Sequence, residues 1–393
     1  MKILHTSDWH LGHTLYTYDR TAEQQAFLRQ LTRIVTEEQP DAMVVSGDIY
    51  HYSSPAAATQ KMYTDAMLNI HQACPGMAIV VTAGNHDSSS KLEIDSSLWQ
   101  HFGLNVVGNI ERTAEEVNLD KHIIEVKNGQ ETKGYVIAVP HVYPQNFPLL
   151  DTETPRDQRQ TRFFQALLDE VKKRNTAQLP VVLMAHLSIE GSDRSGHDES
   201  IGGIEYVPLS AMGEGYDYLA LGHIHCPQDI KGSHHHARYC GTPLPVSFDE
   251  TYPHSVSIIE LEKGAEPQIS TREIENPIPL VTLPHDPTPF EDALKLLEEY
   301  PEEKPAYLRL NVLTKGYLPP DCNEKASNAA KGKACKYCYI KTTRERQADT
   351  DESKPISIQE MQEMSPLEIA RLYYRETEGE EMDPELCQLM ETV

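Results

Sequence analysis

Seven oxygen- and nitrogen-bearing side chains, set at the ends of five apolar runs, are the part of this sequence that could do chemistry. Ile3-Leu4-His5-Thr6 leads into Asp8 and His10, Val44-Val45-Ser46 ends at Gly47-Asp48, and Ile79-Val80-Val81-Thr82 ends at Gly84-Asn85-His86-Asp87. Val181-Val182-Leu183-Met184 delivers His186, and Tyr218-Leu219-Ala220-Leu221 delivers His223 and His225. Carboxylate, imidazole and amide oxygen suit borderline-hard ions such as Mn2+, Fe2+ or Zn2+, and no thiolate stands at any of these ends. Seven ligands are too many for one ion. They suit two ions about 3.5–4 Å apart that share a bridging carboxylate, an arrangement that clamps the attacking and leaving oxygens of a phosphoester. In an extended loop the side chains of Asp8-x-His10 leave the same face, so both can reach one ion. His86 stands beside a ligand position rather than at one, and Asp87 after it is expected to orient the ring through Nδ1.

Taken together, Asp8-x-His10, Gly47-Asp48, Gly84-Asn85-His86-Asp87, His186 and Gly222-His223-Ile224-His225 resemble the calcineurin-like metallophosphoesterase signature. More narrowly, Leu4-His5-Thr6-Ser7-Asp8-Trp9-His10-Leu11-Gly12 and the run from Arg238 to Phe248 are similar to the SbcD family, the nuclease subunits of bacterial SbcCD complexes. The likeness is strong to about Asp249 and weaker beyond it. It implies a DNA nuclease of recombination and repair, acting on double-stranded ends and hairpins with two divalent ions, Mn2+ foremost. In that scheme Asp8, His10 and His225 hold the first ion, Asn85, His186 and His223 the second, and Asp48 bridges them. His86 would serve the leaving alkoxide, and His51 matches a substrate-contacting histidine. The same motifs also serve small-molecule and cyclic-nucleotide phosphodiesterases, the alternative reading. The resemblance further implies a homodimer through helices near 55–74 and 92–102, and a coiled-coil ATPase partner, SbcC, bound by residues 357–393.

Several elements must position these residues. Arg20–Glu38 carries Phe27, Leu28, Leu31, Ile34 and Val35 at helical spacing, with Pro40 as its stop. Further helices are expected over Pro55–Cys74, Leu92–Phe102 and Asp157–Arg174, and paired strands over His122–Val126 and Tyr135–Val139. Strand and helix in alternation give a layered α/β core with the site on its rim loops. The polar, Gly-rich stretch Ile189–Gly203 joins two ligand-bearing strands and is expected to face substrate, with His197 solvated. His234-His235-His236 reads as a surface turn, since neighbours in a strand point to opposite faces and cannot all chelate one ion.

Beyond Asn276-Pro-Ile-Pro279 the pattern restarts, with helices at Phe290–Tyr300 and Cys322–Gly332 and strands at Ala306–Val312 and Tyr337–Thr342. The expected organisation is a nuclease domain over 1–275, a small α/β capping domain over 276–345, a polar linker over 346–356 and a helical tail over 357–393. Ser365-Pro366 and Asp383-Pro384 are helix-start signals in that tail. Its apolar residues, Leu367, Ala370, Tyr373 and Tyr374, then Leu386, Leu389 and Met390, recur at helical spacing. Helices of about three turns are too short to stand alone in water, so such stripes call for docking.

The chain has 393 residues, 39% of them hydrophobic, and no run approaches the ~20 apolar residues of a membrane span. No leader is expected ahead of the first motif, and a cytoplasmic location is expected. Seven cysteines, scattered and odd in number, fit reduced thiols rather than a disulfide framework; Cys322, Cys335 and Cys338 read the same way rather than as a zinc site. With 35 basic against 60 acidic residues the formal charge is −25, the opposite of the basic stripe usual in nucleic-acid binders. Two bound metals would add four positive charges at the site, and a dimer or a partner subunit is expected to supply the rest.

Overall fold

The computed structural model describes residues 1–112, 117–151, 153–196 and 206–344, and in the tail positions 367, 368, 370, 371, 374, 382 and 387. The chain divides into two compact units, 1–343 and 344–393. In chain order the elements are β1 (Lys2–Thr6), β2 (Thr14–Leu15), β3 (Tyr18–Asp19), α1 (Thr21–Glu38), β4 (Ala42–Ser46), α2 (Ala57–Ala73), β5 (Ala78–Thr82), α3 (Ser89–Leu92), α4 (Ser96–Trp99) and β6 (Leu104–Val107). Then come β7 (Ile123–Asn128), β8 (Glu131–Ala138), α5 (Arg159–Arg174), β9 (Val181–His186), β10 (Ser188–Ile189), β11 (Tyr206–Val207), β12 (Tyr218–Gly222), β13 (Gln228–Asp229) and β14 (Ala237–Tyr239). The last are β15 (Ser255–Glu260), β16 (Gln268–Glu273), β17 (Leu280–Thr288), α6 (Phe290–Glu298), β18 (Tyr307–Thr314), α7 (Cys322–Ala330) and β19 (Lys336–Arg344).

Two six-stranded sheets face one another, in the orders β16-β15-β1-β4-β5-β6 and β13-β14-β12-β9-β8-β7. The strands carrying the motifs are central and parallel: β1, β4 and β5 in the first sheet, β9 and β12 in the second. Their runs are apolar throughout because both faces are covered. Ile3, Ala42, Val44 and Val80 point between the sheets against Val136, Val182, Met184 and Ala220. The alternate residues Leu4, Met43, Val45, Ile79 and Val81 point outward to α1 and α2. Leu183, Leu219 and Leu221 do the same toward Phe163, Leu167 and Val171 of α5. The result is the layered α/β fold expected from the sequence.

α1 buries Phe27, Leu31, Ile34 and Val35, and ends where Gln39 turns left-handed ahead of Pro40, its N–H bonded to Val35 O. The single helix expected over Leu92–Phe102 is instead broken into α3, α4 and a 3-10 turn at Gln100–Phe102. Ile94-Asp95-Ser96-Ser97 is a weak helix former. In addition, the Glu93 carboxylate accepts the amides of Gly108 and Asn109 at 2.6 and 3.0 Å, which fixes the chain at the break. The break turns Trp99 inward, where it is 7% exposed and lies edge-on to Tyr63. Leu98 and Ile94 are the exposed residues of this stretch, at 56% and 76%, and Phe102 packs partly against the core.

β17, β18 and β19 form a third sheet. It packs on α6 and α7 around Leu297, Leu308, Leu310, Cys322 and Cys335. It is tied to the first layers by Tyr307 Oη donating to Glu23 (2.7 Å), Tyr18 Oη donating to the Tyr337 carbonyl (2.8 Å) and Arg309 paired with Asp249 (2.7 Å). All seven cysteines are free thiols.

In the tail, Leu367, Ala370 and Tyr374 are helical and half-buried, and Cys387 is helical and buried. Within this unit the Arg371 guanidinium donates to Cys387 Sγ. Tyr373, Leu386, Leu389, Met390 and the linker 346–356 lie outside the described residues. No described helix is long and apolar enough to cross a membrane.

Candidate metal centre

The parallel strands bring all seven predicted ligands to one end of the sandwich. The turns that do so are tight: Asp8, His10, Asp48 and His223 have φ of 52°, 45°, 51° and 97°, a region that side-chain-bearing residues adopt at a cost. Long-range hydrogen bonds hold them there. Asp8 N donates to Gly47 O and His10 N to Asp48 O, both at 3.0 Å, while His223 N donates to the Asp8 carboxylate at 3.0 Å. Gly84 is required by contact, since a Cβ there would stand 2.1 Å from Asp48 Oδ1. At Gly47, φ +87°, a Cβ would meet His186 Nδ1 at 2.2 Å.

Ligand atoms of Asp8, His10 and His225 lie within 4.8 Å of one another, as do those of Asp8, Asp48 and His186 and those of His10, His51 and His86. His10 Nε2 faces His225 Nε2 at 3.2 Å. His186 Nδ1 donates to the Ser46 carbonyl at 2.8 Å, which turns Nε2 toward Asn85 Oδ1 at 2.9 Å. Asn85 Oδ1 stands 3.0 Å from His223 Nδ1 as well. Imidazole nitrogens, carboxylates and an amide oxygen crowded together in this way are a donor set that fits a pair of divalent ions.

The electrostatics agree. Burial opposes charge on Asp48, but His186 and His10 outweigh it and hold the carboxyl well below its usual range. Burial likewise opposes a charged His186, yet the Asp48 carboxylate lifts the ring to about 9. Asp8 is pushed up, by burial first and in part by Asp48. His10, buried and crowded by other rings, is held neutral.

His86 Nδ1 is 2.9 Å from the His51 carbonyl, and its backbone N–H donates to Asp48 Oδ1 at 2.8 Å. The expectation that Asp87 orients this ring is corrected. Asp87 instead accepts the amides of Ile49, Tyr50 and Gly84 at 3.1, 2.9 and 2.9 Å, stapling two rim loops together. Burial and the Asp48 charge raise its pKa to about 6. His51 lies stacked on His86 at 5.2 Å with Nδ1 3.3 Å from His10 Nδ1, and burial lowers it to about 4.

Sequence reasoning missed three residues. Glu250, 7% exposed, accepts from His225 Nδ1 at 3.0 Å and so aims Nε2 at the centre. His13 packs edge-on to His51 at 4.5 Å. His141 stacks on His223 at 6.4 Å, with Nδ1 3.1 Å from His186 O. Glu250 lies two residues past the run that carries the resemblance, and nothing in its local pattern separates it from a surface acid. His234, His235 and His236 diverge as expected: His235 pairs with Asp229 and His236 bonds to Asp217 O. His197 lies outside the described residues, while Gly196 lines the cleft above the centre.

Residues 1–227 match the family model of calcineurin-like phosphoesterases, and residues 276–378 match one described as a type 5 capsule protein repressor C-terminal domain. The SbcD component of nuclease SbcCD from Rhodobacter capsulatus is 34% identical over 309 residues, covering 76% of this chain and 75% of that one. Its Escherichia coli namesake is 28% identical over 98% of this chain and 94% of its own length. That of Bacillus subtilis is 33% identical over 68% of each. A core of two facing sheets with a buried Asp/His/Asn centre at the strand ends is thus joined to a sequence match over more than half the chain, and the protein is a calcineurin-like phosphoesterase. Within that class it belongs to the SbcD nucleases, and it is a metal-dependent phosphodiesterase.

Proposed function

We propose that the chain is the catalytic subunit of an ATPase–nuclease complex that hydrolyses phosphodiesters of double-stranded DNA at ends and hairpins, in recombination and repair. The observation that carries this reading is the convergence of metal-ligating groups at the strand ends, with His186 Nε2 2.9 Å from Asn85 Oδ1 beside the ionised Asp48. Asp8, His10 and His225 would hold one divalent ion, Asn85, His186 and His223 a second, with Asp48 between them and Mn2+ as the ion expected. When bound, such ions activate water at neutral pH and offset charge on the phosphoryl oxygens.

The chain's own residues do the rest. With Nδ1 committed to the His51 carbonyl, His86 exchanges protons through Nε2, and we assign it the transfer of a proton to the leaving oxygen. His51, on the cleft wall beside His86, contacts substrate. Asp87 keeps both loops in register, and Glu250 keeps His225 aimed. The third sheet, with Tyr339 on the cleft wall, acts as the cap.

The deciding experiment compares hydrolysis of linear duplex DNA with that of bis-p-nitrophenyl phosphate in Mn2+. DNA cleavage is expected; turnover of the small diester alone would instead make this a small-molecule phosphodiesterase. The tail, 357–393, is assigned to docking on the SbcC coiled coil, so a chain ending at Lys354 should keep nuclease activity but fail to co-purify with the ATPase, and undiminished binding would refute the assignment. A homodimer is placed on α2 and the exposed Ile94 and Leu98, and sedimentation of Ile94→Asp with Leu98→Asp should give a folded monomer; a dimer would put the interface elsewhere.

A further inference from the structure

One wall of the cleft is built for something the metal centre does not use. Tyr16 sits at the tip of the β2–β3 hairpin, φ 58° and 49% exposed. A two-residue hairpin tip with positive φ is a place for Asn or Gly, and a bulky aromatic there is strained. The ring is nevertheless held firmly from behind. Tyr339 of β19 stacks on it at 4.7 Å with 29° between the planes, and Phe248 lies at 6.3 Å. The Arg309 guanidinium stands over Phe248 at 5.2 Å and bonds Tyr339 Oη at 3.1 Å. Three separate parts of the chain therefore converge to fix one flat aromatic surface. That surface lines the same cleft as His10, Asp48, Asn85 and His86, whose volume of about 730 Å³ is in the range of a nucleotide-sized site.

Resting on the nuclease reading above, we infer that Tyr16 is a stacking platform for an unpaired nucleobase flanking the scissile phosphodiester. Every base has a π-face, so such a platform grips a strand without reading its sequence. It also supplies attraction that does not depend on charge, in a chain of net charge −25. Because a duplex hides its base faces, the platform requires the strand in the cleft to be frayed, as at an end or a hairpin loop.

The test uses the full chain with Mn2+ and single-stranded oligonucleotides cut at a mapped position, either intact or abasic at each of the two nucleotides on either side. Tyr16→Gly fits the backbone at φ 58° and removes only the ring. It should lower kcat/KM on the intact strand by about tenfold or more, chiefly through KM. One abasic position should lower the wild-type enzyme by a similar factor and leave Tyr16→Gly unaffected, and Tyr16→Phe should recover most of the loss. Independently of turnover, 2-aminopurine at that position should be quenched on binding to His86→Leu and not on binding to His86→Leu with Tyr16→Gly. Equal losses on intact and abasic strands, or unchanged quenching, overturn the inference alone. If the enzyme cleaves the small diester but no DNA, the nuclease reading and this inference fall together.

Discussion

The rim of the cleft and the sandwich interior directly beneath it obey opposite rules. On the rim, Asp8, His10, Asp48 and His223 occupy left-handed backbone, two of them are buried carboxylates, and imidazole rings crowd against them. In the interior, Val44, Val80, Val182 and Ala220 are apolar residues in regular parallel strands, all fully buried. Burying each such Val side chain contributes about 1.5–3 kcal/mol, whereas each strained or charged rim residue costs a comparable amount. The interior thus stabilises a surface that would not form by itself, and the rim's local cost is the condition for binding metal. The contrast says that rim substitutions should abolish chemistry with little loss of fold, and interior substitutions the reverse.

The sharpest break in that contrast is Asp48→Asn. A neutral amide bridges poorly between two cations, so hydrolysis should fall to background and metal content below one ion per chain, read by atomic emission after gel filtration. Full two-ion occupancy would show that Asp48 does not link the sites. Next is His86→Leu, which should keep both ions while turnover falls about 10²- to 10⁴-fold. Loss of metal in that variant would make His86 a ligand and remove its assigned role.

The interior gives the mirror-image result. Ile259 on β15 is fully buried between the sheets, far along the chain from any ligand. Ile259→Ala should cost about 2–5 kcal/mol in urea unfolding. Activity per folded molecule should be unchanged, and a drop in kcat would mean that the rim is coupled to interior packing more tightly than the division allows.

The two regions also differ in how legible they were in the sequence. The interior strands showed as unbroken apolar runs, and the ligands as polar residues at their ends, because both signals are local. Glu250 and His13 carried no such signal, since they meet the centre only through the folded chain. The role of Asp87 was misread for the same reason: its neighbour His86 is close in sequence, but its partners are amides on another loop. α3 and α4 failed as one helix because Glu93 is claimed by Gly108 and Asn109. Tyr16, at a hairpin tip of two-residue strands, had no periodicity to reveal it.

A smaller effect separates two kinds of buried histidine. Rim rings such as His186 are poised against carboxylates, whereas His122 behind the second sheet bonds the Ala138 carbonyl at 2.7 Å and lies edge-on to the Phe163 ring at 5.4 Å, with Lys121 disfavouring and Glu93 and Glu111 favouring a charged ring. Burial lowers its pKa from 6.5 to about 4, the carbonyl opposing only in part. The folded chain therefore keeps His122 neutral where the unfolded chain protonates it, so stability present above pH 6.5 is lost as pH falls toward about 4. Between about pH 7 and pH 5 this single group should account for roughly 2 kcal/mol. His122→Gln has no ring to titrate, so the urea midpoint of the unaltered chain should fall more steeply over that interval than the variant's. Parallel pH profiles would show that His122 takes up its proton in the folded state at its ordinary pKa, and that the interior tolerates charge as the rim does.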